Sequence, residues 1–144
     1  MARYTTTVRT HQSPAGVFAY MADLRNFAQW DPGVKDVKQV KGDAGGSGAE
    51  FDVTVSGTTL RYVTEVFEPD TELLVVARSR TLKSTDRVTV RADGATTLVT
   101  YDALLELNGV LRVADPLLGL AFGRIGDRAA AGLRRVLSGE DVPA

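Results

Sequence analysis

The chain contains no cysteine and a single histidine, His11. Disulfides are therefore impossible, and one chain cannot assemble a Cys/His metal site of the zinc type. It also lacks an excess of either charge, with 17 basic residues against 18 acidic ones. No surplus positive field exists to hold nucleic acid or an anionic membrane surface. Apolar runs extend only a few residues, far short of the ~20 that a spanning helix needs. Met1–Thr10 opens with Arg, Tyr, Thr and Val, unlike a charged leader followed by an apolar stretch. These absences predict a soluble, cytoplasmic protein with no cofactor, no metal, no nucleic-acid partner and no stable membrane insertion.

What is present fits one globular domain over residues 1–144, with 44% apolar and 24% charged residues. A chain of this size buries roughly 68–70% of its unfolded surface, enough for one core. Tyr4, Thr6, Val8 and Thr10 alternate with Arg3, Thr5, Thr7 and Arg9, the period of a first strand. Ser13-Pro14 then supplies an N-cap and a first-turn proline, and Val17, Phe18, Met21 and Leu24 continue at helical spacing toward Phe27 and Trp30. Two short helices broken near Asp23 are expected, stopped by Asp31-Pro32-Gly33.

From Val34 to Leu107 six strand-like runs are separated by turn chemistry at Gly42–Gly48, Ser56–Thr59, Glu68-Pro69-Asp70, Leu82-Lys83 and Asp93-Gly94. Asp115-Pro116 opens a long amphipathic helix carrying Leu118, Phe122, Ile125, Ala129, Leu133 and Val136. Ser138-Gly139 stops it, and Glu140–Ala144 reads as a frayed tail.

A two-residue turn at Asp93-Gly94 places Ala92 opposite Ala95, Val88 opposite Val99, Val90 opposite Thr97 and Asp86 opposite Tyr101. The same treatment of Ser56–Thr59 sets Val55 against Leu60, Val53 against Tyr62 and Phe51 against Thr64. Each hairpin then has one apolar and one wet face, and the terminal helix is the element able to cover the apolar one.

This order of elements resembles the helix-grip fold of the START/Bet v 1-like superfamily, specifically its SRPBCC branch of polyketide cyclase/dehydrase and lipid-transport proteins. Local likenesses are Ser13-Pro14-Ala15-Gly16-Val17-Phe18 and Leu24-Arg25-Asn26-Phe27-Ala28-Gln29-Trp30-Asp31-Pro32-Gly33-Val34. Further on, Asp86-Arg87-Val88-Thr89-Val90, Leu107-Asn108-Gly109 and Asp115-Pro116-Leu117-Leu118 are similar to family segments. The resemblance implies an α+β fold in which a seven-stranded antiparallel sheet wraps a long C-terminal helix, with two short helices after the first strand. It further implies an apolar cavity for a lipid, polyketide, isoprenoid or similar molecule. Fold alone does not choose among carrier, sensor and cyclase.

Asp86 and Tyr101 are the candidate catalytic residues, because the register sets a carboxylate beside a phenol on the apolar face, where an unpaired charge is costly. They either handle protons and hydrogen bonds of a ligand or form a structural pair. The candidate ligand-binding residues are Trp30, Phe51, Val53, Tyr62, Thr64, Val88, Val99, Leu118, Phe122 and Ile125. Glu50 and Glu65 face each other on the outer surface in the simplest register, an unfavourable pair with no cleft to serve. His11 reads as a boundary residue. Gly42–Gly48 lacks the closing Lys-Ser/Thr and the following helix of a phosphate loop. Arg124, Arg128 and Arg135 read as a solvated stripe.

Three functions remain open: non-covalent binding of one hydrophobic small molecule, cofactor-independent cyclase, aromatase or dehydratase chemistry, and a protein-binding adaptor or co-chaperone role. A cavity filled solid by its own side chains would favour the adaptor. The oligomeric state is expected to be monomer or homodimer.

Overall fold

The computed structural model describes residues 2–55, 57–108 and 115–142, with backbone alone at 115–120. Strand β1 (Ala2–Thr10) leads into helix α1 (Pro14–Ala22), a 3-10 turn (Leu24–Asn26) and helix α2 (Phe27–Trp30). Strands β2 (Val34–Lys41), β3 (Glu50–Val55), β4 (Thr58–Glu68), β5 (Glu72–Arg78), β6 (Leu82–Asp93) and β7 (Thr96–Leu107) follow. Helix α3 (Asp115–Leu137) and a short β8 (Glu140–Asp141) complete the order. All pairings are antiparallel, in the order β2-β3-β4-β5-β6-β7-β1-β8. This is the helix-grip architecture. No helix among the described residues is long and apolar enough to cross a membrane.

Local chemistry explains the entry segment. The Ser13 hydroxyl accepts from the Gly16 amide at 3.1 Å, and Pro14 opens α1. At the break, Asp23 accepts from the Arg25 amide and chelates its guanidinium. The stop after Trp30 is an Asx turn, in which the Asp31 carboxylate accepts from the Gly33 amide at 2.9 Å.

Both hairpins differ from the expected register by two residues. At the β6–β7 turn, Gly94 carries the positive φ of 60° and the two-residue loop is Gly94-Ala95, so Asp93 pairs with Thr96 and Val90 with Val99. Glycine at the first central position is the type II′ preference. At β3–β4 Val55 pairs with Thr58, Val53 with Leu60 and Phe51 with Tyr62. A two-residue shift preserves every side chain's face. It also dissolves the Glu50–Glu65 clash: Glu50 lies opposite Val63, near Lys41 and Arg61, while Glu65 binds Arg78 at 2.6 Å. The β5–β6 turn falls at Ser79–Thr81, not Leu82-Lys83, because the Ser79 hydroxyl accepts from the Thr81 and Leu82 amides.

Helix α3 spans 23 residues, about 34 Å at 1.5 Å per residue. Among the residues with described side chains, its buried face is built from Gly126, Ala129, Ala130, Gly132, Leu133 and Leu137. Gly126 lies against the Tyr4 ring and Gly132 against the Trp30 carbonyl, where a Cβ would overlap either neighbour. The small residues thus bring α3 onto β1 and α2, and this rotation turns Ile125 outward, 46% exposed. Its C-terminus is a Schellman motif: the Gly139 amide donates to the Arg134 carbonyl at 2.9 Å and Ser138 to Arg135 at 3.3 Å. Ser138, not the glycine, takes the left-handed conformation at φ 51°. The expected tail is a strand in part, since Glu140 and Asp141 pair with Arg9 and Val8. Helix α3 begins at Asp115 with Pro116 in its first turn, while the expected N-cap role of Asp115 and the Leu118 side chain lie outside what is described.

Candidate functional site

The inner face of the sheet is set by alternation along β5, β6 and β7. Leu73, Val75 and Ala77 on β5, Ser84, Asp86, Val88 and Val90 on β6, and Val99, Tyr101 and Ala103 on β7 are all buried. Asp86 lies directly opposite Ala103 and Tyr101 opposite Val88. The acid and the phenol are therefore diagonal neighbours on one face, within reach of a long aromatic side chain. The Tyr101 hydroxyl donates to Asp86 Oδ2 at 3.1 Å. Beside them, Tyr62 on β4 donates to the Ser84 hydroxyl at 2.7 Å.

A hollow lies between this wall and the short helices. Met21, Asp23, Leu24, Phe27 and Trp30 line it on one side, and Leu73, Val75, Asp86, Val88 and Tyr101 on the other. It measures ≈ 310 Å³ counting its open mouth, but only ≈ 20 Å³ is available to the centre of a water molecule. That is room for about one water. The expected roomy cavity is in fact a narrow cleft, because the aromatic residues of α2 fill the space: Trp30 meets Tyr101 edge-on at 5.1 Å and stacks on Phe27 at 4.8 Å.

Burial dominates the electrostatics. Desolvation pushes the Asp86 carboxyl up to about 7, against the lowering effect of the Tyr101 hydrogen bond and with help from the charges of Asp31 and Asp102. Tyr101 is raised well above the usual phenol range by burial and then by the neighbouring Asp86 charge. Tyr62 is raised for the same two reasons. Asp31 is also raised by burial, opposed by its bond from the Gly33 amide. A carboxyl that titrates near neutrality beside a phenol can accept or release a proton at physiological pH.

Of the residues singled out in the sequence, Trp30, Val88, Asp86 and Tyr101 line the hollow. Phe51, Val53, Tyr62 and Val99 belong to the same continuous core, and Thr64 is buried on β4, but none of these five borders the open space. Phe122 is half-buried against that core. Ile125 is no wall of the hollow; it faces an outer groove with Pro32, Lys35 and Arg128. The reason is the glycine-directed rotation of α3. His11 is exposed, as are Arg124, Arg128 and Arg135. Sequence reasoning missed Met21, Leu24, Leu73 and Val75 as walls and Ser84 and Asp31 as buried polar groups. Ser84 had a usable signal, its even spacing from Asp86. Asp31 was hidden by its second role in stopping α2.

A curved antiparallel sheet, a long closing helix and a hollow beneath two short helices define a helix-grip protein. The model of the family described as polyketide cyclase / dehydrase and lipid transport matches residues 1–138. The chain belongs to that family. Similar solved structures include a START superfamily protein from Mycobacterium smegmatis, 19% identical over 96% of this chain and 98% of that one, with a TM-score of 0.69. A protein from Thermus thermophilus is 12% identical over 94% and 97% of the two chains, with a TM-score of 0.74. Ginseng major latex-like protein 151 from Panax ginseng is 11% identical over 88% and 97%, with a TM-score of 0.58. None of the curated proteins matches the sequence.

Proposed function

We propose that the protein binds one hydrophobic small molecule, of lipid, polyketide or isoprenoid type, in the cleft between the α1–α2 segment and strands β5–β7. The observation that carries this reading is the Asp86–Tyr101 pair, a buried polar couple on an otherwise apolar wall bordering open space. A buried acid of this kind costs stability, and an apolar pair of the same volume would hold the sheet together as well. A ligand that uses the acid gives it a purpose. The apolar residues around it supply affinity, and the pair sets orientation.

The cleft has room for about one water, so entry of a larger molecule requires the Phe27 and Trp30 side chains to swing outward. Those two residues sit on a four-residue helix, too short to be stable without its packing. Nile red, a neutral apolar dye, tests the reading by fluorescence titration combined with native mass spectrometry. One saturable site per chain is the expected result. No saturable uptake would overturn the proposal and turn attention to the adaptor role.

The titration of Asp86 near 7 favours a second reading, in which the same cleft folds a polyketide-like chain and Asp86 moves protons as a general acid or base. Turnover abolished in Asp86→Asn with ligand affinity retained would mark catalysis.

A further inference from the structure

The hydrogen-bond balance of the cleft limits what a ligand can present to it. The Tyr101 proton is committed to Asp86 Oδ2 and the Tyr62 proton to Ser84. Among the described residues, Asp86 Oδ1 accepts no hydrogen bond, although Asp86 is only 5% exposed. No lysine, arginine or histidine among the described residues lines the space. Asp23 at its edge is already neutralised by the Arg25 guanidinium, with contacts of 2.9 and 2.7 Å. Asp31, held by the Gly33 amide, forms no salt bridge among the described residues and adds a further negative charge that Asp86 senses. Trp30 also lines the space, and its indole N–H is a neutral donor that cannot offset a charge.

Resting on the binding function above, we propose that the cleft selects an apolar molecule whose polar end is a hydrogen-bond donor, neutral or cationic, and rejects apolar anions such as fatty carboxylates. A donor head pairs with Asp86 Oδ1, the oxygen that no protein donor among the described residues reaches. A carboxylate head would place like charges together in a low-dielectric space with no counter-cation. An alcohol can donate to Asp86 without bringing a charge into the space. An ammonium can only donate, but it compensates the charge.

The test is competition against bound Nile red by octanol, octylamine and octanoate, which share one tail, at about pH 8 where Asp86 is ionised. The groups that bear on Asp86 at that pH are Tyr101 and Asp102 on β7, Tyr62 on β4, and Asp31 after α2. Octanol and octylamine should each compete at least about tenfold better than octanoate. In Asp86→Asn that discrimination should collapse to within about threefold, since an amide carries no charge. Octanoate competing as well as the other two, or all three failing while Nile red binds, would overturn the inference and leave the binding function standing. Failure of Nile red itself would remove both. Unchanged discrimination in Asp86→Asn would place the selectivity elsewhere and overturn the assignment to this carboxyl. The wild-type comparison decides the question even if that variant does not fold.

Discussion

Asp86 is ionised at neutral pH in an unfolded chain but held up to about 7 in the folded one. Between these values the folded state binds the extra proton, so stability falls as pH rises from about 4 to about 7 and levels off above that. The loss is on the order of a few kcal/mol. Asp23, Asp52, Glu65 and Asp102 are shifted the other way by arginine partners. Their stabilisation is lost only as pH falls below the ordinary carboxylate range, so it does not mask the Asp86 window. Denaturant melts across pH should therefore show a decline toward neutrality that Asp86→Asn reduces, leaving the part due to Asp31, whose carboxyl burial also raises. In Tyr101→Phe the hydrogen bond that favours the ionised carboxylate is gone, and carbon-detected NMR titration should place Asp86 higher than in wild type. At this scale the sequence was informative, because strand parity survives a two-residue register error and still sets Asp86 and Tyr101 on one face. Serine at 84 carried the same parity but, as a small polar residue, no hydrophobic signal.

Turns and helix contacts decide the element scale. Ser138 bears the left-handed residue of the α3 Schellman motif while glycine sits one place later, against Arg9. Ser138→Gly should raise stability by up to about 1 kcal/mol, the strain of a side chain in that conformation less the entropy of glycine. Urea unfolding of the variant reads this directly. Gly132→Ala should do the opposite, losing about 1–3 kcal/mol or more as the new methyl is driven into the Trp30 carbonyl. It should also loosen α2 over the cleft, seen as a red-shifted Trp30 emission. The break at Asp23 and the capped, proline-led start of α1 were readable from capping chemistry. The facing of α3 was not fully, because much of its contact is made by Gly126, Ala130 and Gly132, which periodic counting of large apolar residues passes over. That counting put Ile125 inside and left the tail unpaired, whereas Thr10 and Gln12 tie the Leu137 carbonyl to β1 and bring β8 alongside it.

For the whole molecule, the β2–β7 meander and the closing helix follow from hairpin turns and one-sided faces, and these were legible, whereas the pairing of β1 with β7 is set by no hairpin and was not read. The size of the hollow was not, since it depends on how far two aromatic side chains of α2 lean into the space. Under the proposed binding function, a narrow cleft bordered by a buried acid couples ligand entry to displacement of the α2 aromatics. The most direct measurement is the carboxyl carbon resonance of Asp86 during titration with an apolar alcohol such as octanol. Saturation at one molecule per chain, with that resonance moving in step, is the predicted result. Saturation that leaves it unmoved, or no saturation at all, would contradict the account.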